Sequence, residues 1–178
     1  MVMHHVVMRS RFPAVVDEVT ARLTAGVVLL AVLLMLALQQ WWVFLPLAAD
    51  FTLRATLGPR VSPLARVVSR WVRPRVPALP HPTAGTPKRF AAAVGAVLTG
   101  LASVLWLLHL ATGAAWLGTA VLVVAVVMAV FPALEALAGL CVGCVVFGWL
   151  MRAGVVPEDV CLECADITSR LRAPGATT

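Results

Sequence analysis

Most apolar positions along this chain come in long blocks and not in the alternating or three-to-four spacing of half-buried elements in soluble proteins. Leu23 to Leu38 carries no charge and ends at Gln39-Gln40-Trp41-Trp42. Paired tryptophans after an apolar run suit a membrane interface. Polar or mixed residues, Asp17 and Glu18 among them, precede the block, so it reads as a retained helix and not as a cleaved leader. A second, shorter block, Val43 to Leu57, contains Asp50 and Arg54 and stops at Gly58-Pro59, because proline cannot continue a helix. Phe90 to Leu110 and Ala114 to Phe131 are each long enough to cross the hydrocarbon core of about 30 Å, joined by a tight Ala-Thr-Gly turn. Pro132 is expected to break the last of these. Ala133 to Met151 is then apolar again except for Glu135, and Gly139, Gly143 and Gly148 loosen it.

Between Leu57 and Phe90 lies the main polar stretch, with Arg60, Arg66, Arg70, Arg73, Arg75, Lys88 and Arg89 and no acid. Ser62-Pro63 is a helix start, an N-cap followed by proline at the first helical position. Leu64, Val67, Val68 and Trp71 then share one face, with Arg66, Arg70 and Arg73 on the other. That separation predicts an amphipathic helix lying on an anionic membrane surface, with the three arginines toward lipid headgroups, and argues against nucleic-acid binding. Pro74, Pro77, Pro80, Pro82 and Pro87 predict a stiff non-helical linker.

The expected organisation follows these blocks. A segment 1–22 precedes a first hairpin 23–57. A basic loop 58–89 leads to a second hairpin 90–131. A segment 133–151 and a polar tail 152–178 complete the chain. The fold class is an all-α integral membrane protein, a small bundle of four transmembrane helices with one interfacial helix. Glu135 and the three glycines favour a re-entrant 133–151, and a full crossing would make five spans. Lys and Arg are retained on the cytoplasmic side, which puts the basic loop and the amino terminus inside.

Composition agrees with this class. The chain is 61% hydrophobic and only 12% charged, with a mean hydropathy of +0.96. A soluble domain is about 25% charged. The net charge of +6 comes from 14 Lys and Arg against 8 Asp and Glu, and half of those bases lie in the acid-free loop.

Candidate chemistry centres on the cysteines. All of them lie in two C-x-x-C pairs, Cys141/Cys144 and Cys161/Cys164. That spacing admits three readings. A four-thiolate zinc site is one. It is weakened because no glycine follows the second cysteine of either pair, and because a charged cluster in an apolar layer is costly. A redox pair is another, since i and i+3 side chains share a helix face and one thiol of such a pair gains a low pKa. Simple packing, with cysteine as a small apolar side chain, is the third and suits Cys141 and Cys144 better than the tail pair. A membrane-edge pair followed by a tail pair is the layout of a relay.

Asp50 and Arg54 stand at i, i+4 on a short apolar helix and can form an ion pair. The pair reads either as a buried polar site for an anion, a quinone head group or a proton, or as an interfacial Arg54 reaching the headgroups with Asp50 as partner. Glu135 is alone on its segment, and a continuous helix would not bring it to the cysteine face. The four histidines have no ligand spacing.

The segments RFPAVVDEVTARLTAG (Arg11 to Gly26), DFTLRATLGPRVSPLAR (Asp50 to Arg66), RPR (Arg73 to Arg75), LEALAGLCVGC (Leu134 to Cys144) and CLEC (Cys161 to Cys164) resemble a bacterial membrane family classed as domain of unknown function 4395. Val142 stands where leucine is expected. The resemblance implies a small multi-span protein of the bacterial inner membrane with a Cys-x-Gly-Cys motif. It also implies thiol or sulfane-sulfur traffic with a soluble thioredoxin-like or sulfurtransferase partner. Cys141, Cys144, Cys161 and Cys164 would carry that chemistry, as one component of a thiol–disulfide oxidoreductase system. Zinc or a quinone are the cofactors the residues could admit. The reading from another class is a non-catalytic membrane scaffold whose four cysteines hold zinc and recruit a partner.

Overall fold

The computed structural model describes residues 15–156. A short strand β1 (Val15–Asp17) leads into α1 (Glu18–Leu38). Asp17 caps α1, its carboxylate accepting the amide N–H groups of Val19 and Thr20. This start lies ahead of the apolar block because a capping carboxylate, not hydropathy, fixes a helix end. Gln39, in the left-handed region with φ 54°, closes α1, and Trp41–Val43 forms one 3-10 turn. Helix α2 (Phe44–Thr56) folds back, and α3 (Pro63–Val67) follows. As expected, Ser62 caps α3, accepting the Ala65 amide. The helical path widens into a π turn at Val68–Val72 and tightens to a 3-10 turn at Arg73–Arg75. Strand β2 (Pro82–Ala84) pairs antiparallel with β1, Val15 opposite Ala84. Then come α4 (Gly85–Thr112), α5 (Ala115–Ala138) and α6 (Val142–Arg152).

Three helices, α1, α4 and α5, are long and apolar enough to cross a membrane. The chain is therefore an all-α, multi-pass membrane protein. Helix α2, expected as the return arm of the first hairpin, has 13 residues and spans only about 20 Å. Helix α4 is central, packing against α2, α5 and α6, while α1 lies on α5. Its inner face is made of small residues: Ala92, Gly95, Thr99, Ala102 and Ser103 are buried. Small residues let helix backbones approach closely in lipid. Phe51 of α2 sits on Gly95, where an added Cβ would lie 2.6 Å from its ring. The hydroxyls of Thr99 and Ser103 donate to the Gly95 and Thr99 carbonyls, so neither is unpaired in the core. The shared core joins Val28, Val32 and Met35 of α1 to Phe44 and Leu47 of α2 and Val121, Ala125 and Met128 of α5. Leu30, Leu34, Val97, Val104, Val123 and Val126 point outward, as lipid-facing side chains do.

Three expectations are corrected. Pro132 does not end the helix: α5 runs through it to Ala138, because Pro132 is buried in the packed bundle and that packing outweighs the lost N–H and the ring's clash with the preceding turn. The segment 133–151 is consequently not one unit. Its first part completes α5, Gly139 turns the chain at φ 69°, and α6 begins after Cys141. The Pro-rich stretch is not wholly non-helical, because Pro74 lies in the 3-10 turn Arg73–Arg75 and Pro87 in the first turn of α4, where a missing N–H costs nothing. Lys88 and Arg89 thus belong to α4. The short ladder, absent from the sequence reading, ties the starts of α1 and α4 together at one end of the bundle.

Candidate functional site

That end gathers most of the charged groups. Asp17 accepts from Thr20 Oγ1 at 2.6 Å, from Arg73 Nε at 2.9 Å and from the His81 amide at 3.1 Å. Burial alone would raise its pKa, but these donors outweigh it and hold the carboxyl well below the usual carboxylate range. Arg73 also donates to the carbonyls of Val76 and Ala78. It is therefore not on the free basic face expected for it, but clamps the basic loop to the start of α1. Arg66 and Arg70 are exposed, and Arg66 Nε donates to the Arg60 carbonyl.

Asp50 and Arg54 form the expected i, i+4 ion pair. Asp50 is buried and also accepts from Ser62 Oγ at 2.6 Å and the Leu64 amide at 3.0 Å. It thereby pins the start of α3 to α2. The Arg54 guanidinium lies over the Phe51 ring, 4.9 Å from its centroid, and its Nε is buried without an acceptor.

Glu135 lies in the last turn of α5 and pairs with Lys88 in the first turn of α4. Both are mostly buried, with side chains 20% and 14% exposed. The turn at Gly139 redirects the chain, so Glu135 and the cysteines share one locality after all, and Lys88 and Glu135 both act electrostatically on Cys141 and Cys144. Arg22 of α1 supports the same turn by donating to the carbonyls of Ala136 and Leu137 at the open end of α5.

Cys141 is the N-cap of α6, and its sulfur accepts the Cys144 amide at 3.3 Å. A thiol at a helix N-terminus is stabilised as thiolate by the free amides and the helix dipole. The hydrogen bond from the Cys144 thiol lowers the Cys141 pKa most. The Lys88 charge and the Cys144 amide help, while burial and Glu135 oppose. The same interaction, with burial, pushes Cys144 far up. One thiol is thus set to ionise and its neighbour to stay protonated. Gly143 makes the site possible. An added Cβ there would lie 2.5 Å from the Ala91 Cβ, so only glycine lets α6 approach α4.

A cavity of about 500 Å³ opens beside this pair. Its lining includes Cys141, Lys88 and Glu135, the further polar residues Asp17, Arg54, Arg60, Arg66 and Ser69, and the apolar Val28, Phe51, Met128 and Phe131. Among the described residues no group of three or more His, Cys, Asp or Glu is placed to hold a metal. Cys161 and Cys164 lie outside the described residues. Lys88 was read from the sequence only as one charge of a basic loop. Nothing local marks it, and only the pairing of α4 with α5 gives it a partner.

The sequence profile of a domain of unknown function, DUF4395, matches residues 16–152. The chain belongs to the DUF4395 family. The matched span runs from β1 to the end of α6 and so includes Lys88, Glu135, Cys141 and Cys144. Membership in DUF4395 carries no activity with it. No curated protein and no solved structure matches the chain.

Proposed function

We propose that this DUF4395 protein is a membrane-embedded thiol–disulfide or sulfur-relay component, with Cys141 as the attacking thiolate and Cys144 as the resolving thiol. The observation that carries this reading is the position of Cys141 as N-cap of α6, its sulfur accepting the Cys144 amide. A thiolate attacks a disulfide or persulfide sulfur, and a neighbouring thiol then displaces the product by closing a disulfide. Residues three apart at a helix start are close enough for that closure. In this reading the tail pair Cys161 and Cys164 exchanges with a soluble thioredoxin-like or sulfurtransferase partner. The site sits on the cytoplasmic side of a bacterial inner membrane, because the acid-free basic loop lies at the same end of the bundle.

Trapping tests the roles. Cys144→Ser should accumulate a mixed disulfide through Cys141, and Cys141→Ser should trap none at that pair. Alkylation of the reduced protein, with and without chelator and read by mass, tests the zinc scaffold. Four thiols that become reactive only with chelator would replace the relay with a metal clamp.

A further inference from the structure

We propose that the cavity beside Cys141 is the binding site for a small anionic disulfide or persulfide with an apolar body, its acid group held by Arg60 and Arg66 at the mouth. This rests on the thiol-exchange reading above and names its substrate class.

Three observations carry it. First, access. Cys141 is 8% exposed and lines a cavity whose volume suits a single small ligand. A sulfur atom on a folded partner's surface would have to enter that cavity, whereas a small molecule fits within it. Second, charge. Every carboxylate among the described residues already has a basic partner: Asp17 has Arg73, Glu18 has His81, Asp50 has Arg54 and Glu135 has Lys88. Arg60 and Arg66 line the cavity and have no carboxylate partner among the described residues. The mouth therefore carries uncompensated positive charge, which concentrates anions. Third, the interior. Val28, Phe51, Met128 and Phe131 would gain nothing from a hydrated inorganic anion, but they would bury an apolar body.

The chemistry balances within the site. The Cys141 thiolate attacks one sulfur of the substrate S–S bond. That bond breaks, a Cys141–substrate disulfide forms, and the second sulfur leaves as a thiolate or sulfide that takes a proton from water. Cys144 then gives up its proton and attacks Cys141 Sγ, closing the Cys141–Cys144 disulfide. The released substrate thiolate takes up a proton in turn. Two electrons pass from the protein dithiol to the substrate.

The test uses the reduced full chain in phosphatidylcholine nanodiscs and three probe disulfides: the aromatic dicarboxylate dithiobis-nitrobenzoate, neutral dithiodipyridine and cationic cystamine. The initial rate of modification is read by peptide mass at Cys141. The preference for the dicarboxylate over the neutral probe, relative to their rates with a free thiol, should be roughly tenfold. It should vanish in Arg60→Gln/Arg66→Gln and return in Arg60→Lys/Arg66→Lys. Equal relative rates for all three probes, or a preference that survives the double Gln variant, would overturn the ligand class while leaving thiol exchange standing. A Cys141 that reacts with none of them would remove the exchange reading and this inference with it. If all three probes slow together in phosphatidylglycerol nanodiscs, the cavity holds lipid and the inference is wrong.

Discussion

Lys88 and Glu135, 47 residues apart, form an ion pair between the first turn of α4 and the last turn of α5, and both line the cavity that Cys141 also lines. The pair does two things at once. It joins two membrane-crossing helices at the end where the loops are most polar. The Lys88 charge also offsets part of the Glu135 charge that opposes ionisation of Cys141.

Removing Lys88 alone leaves Glu135 uncompensated. Lys88→Met should destabilise the protein by about 3 kcal/mol, the low end for a buried pair that keeps some exposure. It should also move the alkylation profile of Cys141 to higher pH. Glu135→Gln should move that profile to lower pH, since the opposing charge is gone. Cys144→Ala should move it up, through loss of the thiol donor. Iodoacetamide rates against pH, read by peptide mass, check all three. A profile indifferent to every change would show that the pair is purely structural.

Asp50 makes three bonds where Arg54 makes one to it, so the two are not equivalent. Asp50→Ala should cost more than Arg54→Met, because it strands the Ser62 hydroxyl, the Leu64 amide and a buried guanidinium together. The double variant should be no worse than Asp50→Ala. Thermal stability in detergent measures this. Small additive losses would mean the pair is interfacial and solvated.

Asp17 predicts an acid limb. Its folded pKa is depressed, so the stability it contributes is complete above its unfolded value of about 3.9 and is lost as pH falls toward the folded one. Wild type should therefore lose stability below about pH 4, while Asp17→Asn should be weaker at neutral pH and flatter on the acid side. Melting curves across that range would show the two profiles converging. Parallel profiles would assign the acid sensitivity elsewhere.

Gly143→Ala should push α6 from α4, lowering both stability and the reactivity of Cys141, because the added methyl meets Ala91 backbone as well as side chain. Gly100 has open space around its would-be Cβ. Gly100→Ala should be neutral or stabilise by up to about 1 kcal/mol through helix propensity. Equal behaviour of the two variants would deny the close contact.

What the sequence determined by itself was whatever hydropathy and local chemistry encode. The apolar blocks marked α1, α4 and α5 because crossing a bilayer requires a minimum run of apolar residues, whatever the neighbours are. Ser62-Pro63 marked the start of α3, and i, i+4 spacing paired Asp50 with Arg54, since both depend only on nearby backbone. The C-x-x-C spacing singled out Cys141 and Cys144 for the same reason. Tertiary structure decided the rest. Packing carried α5 through Pro132, overriding a local breaker. The turn at Gly139 brought Glu135 to the cysteines, which no single helical period could do. Arg73 found Asp17, and Lys88 found Glu135, across 56 and 47 residues. A charge's partner is fixed by which helices lie side by side, and that depends on the small-residue face of α4 meeting α2, α5 and α6 together. The cavity, a space between elements, exists only once those helices have packed.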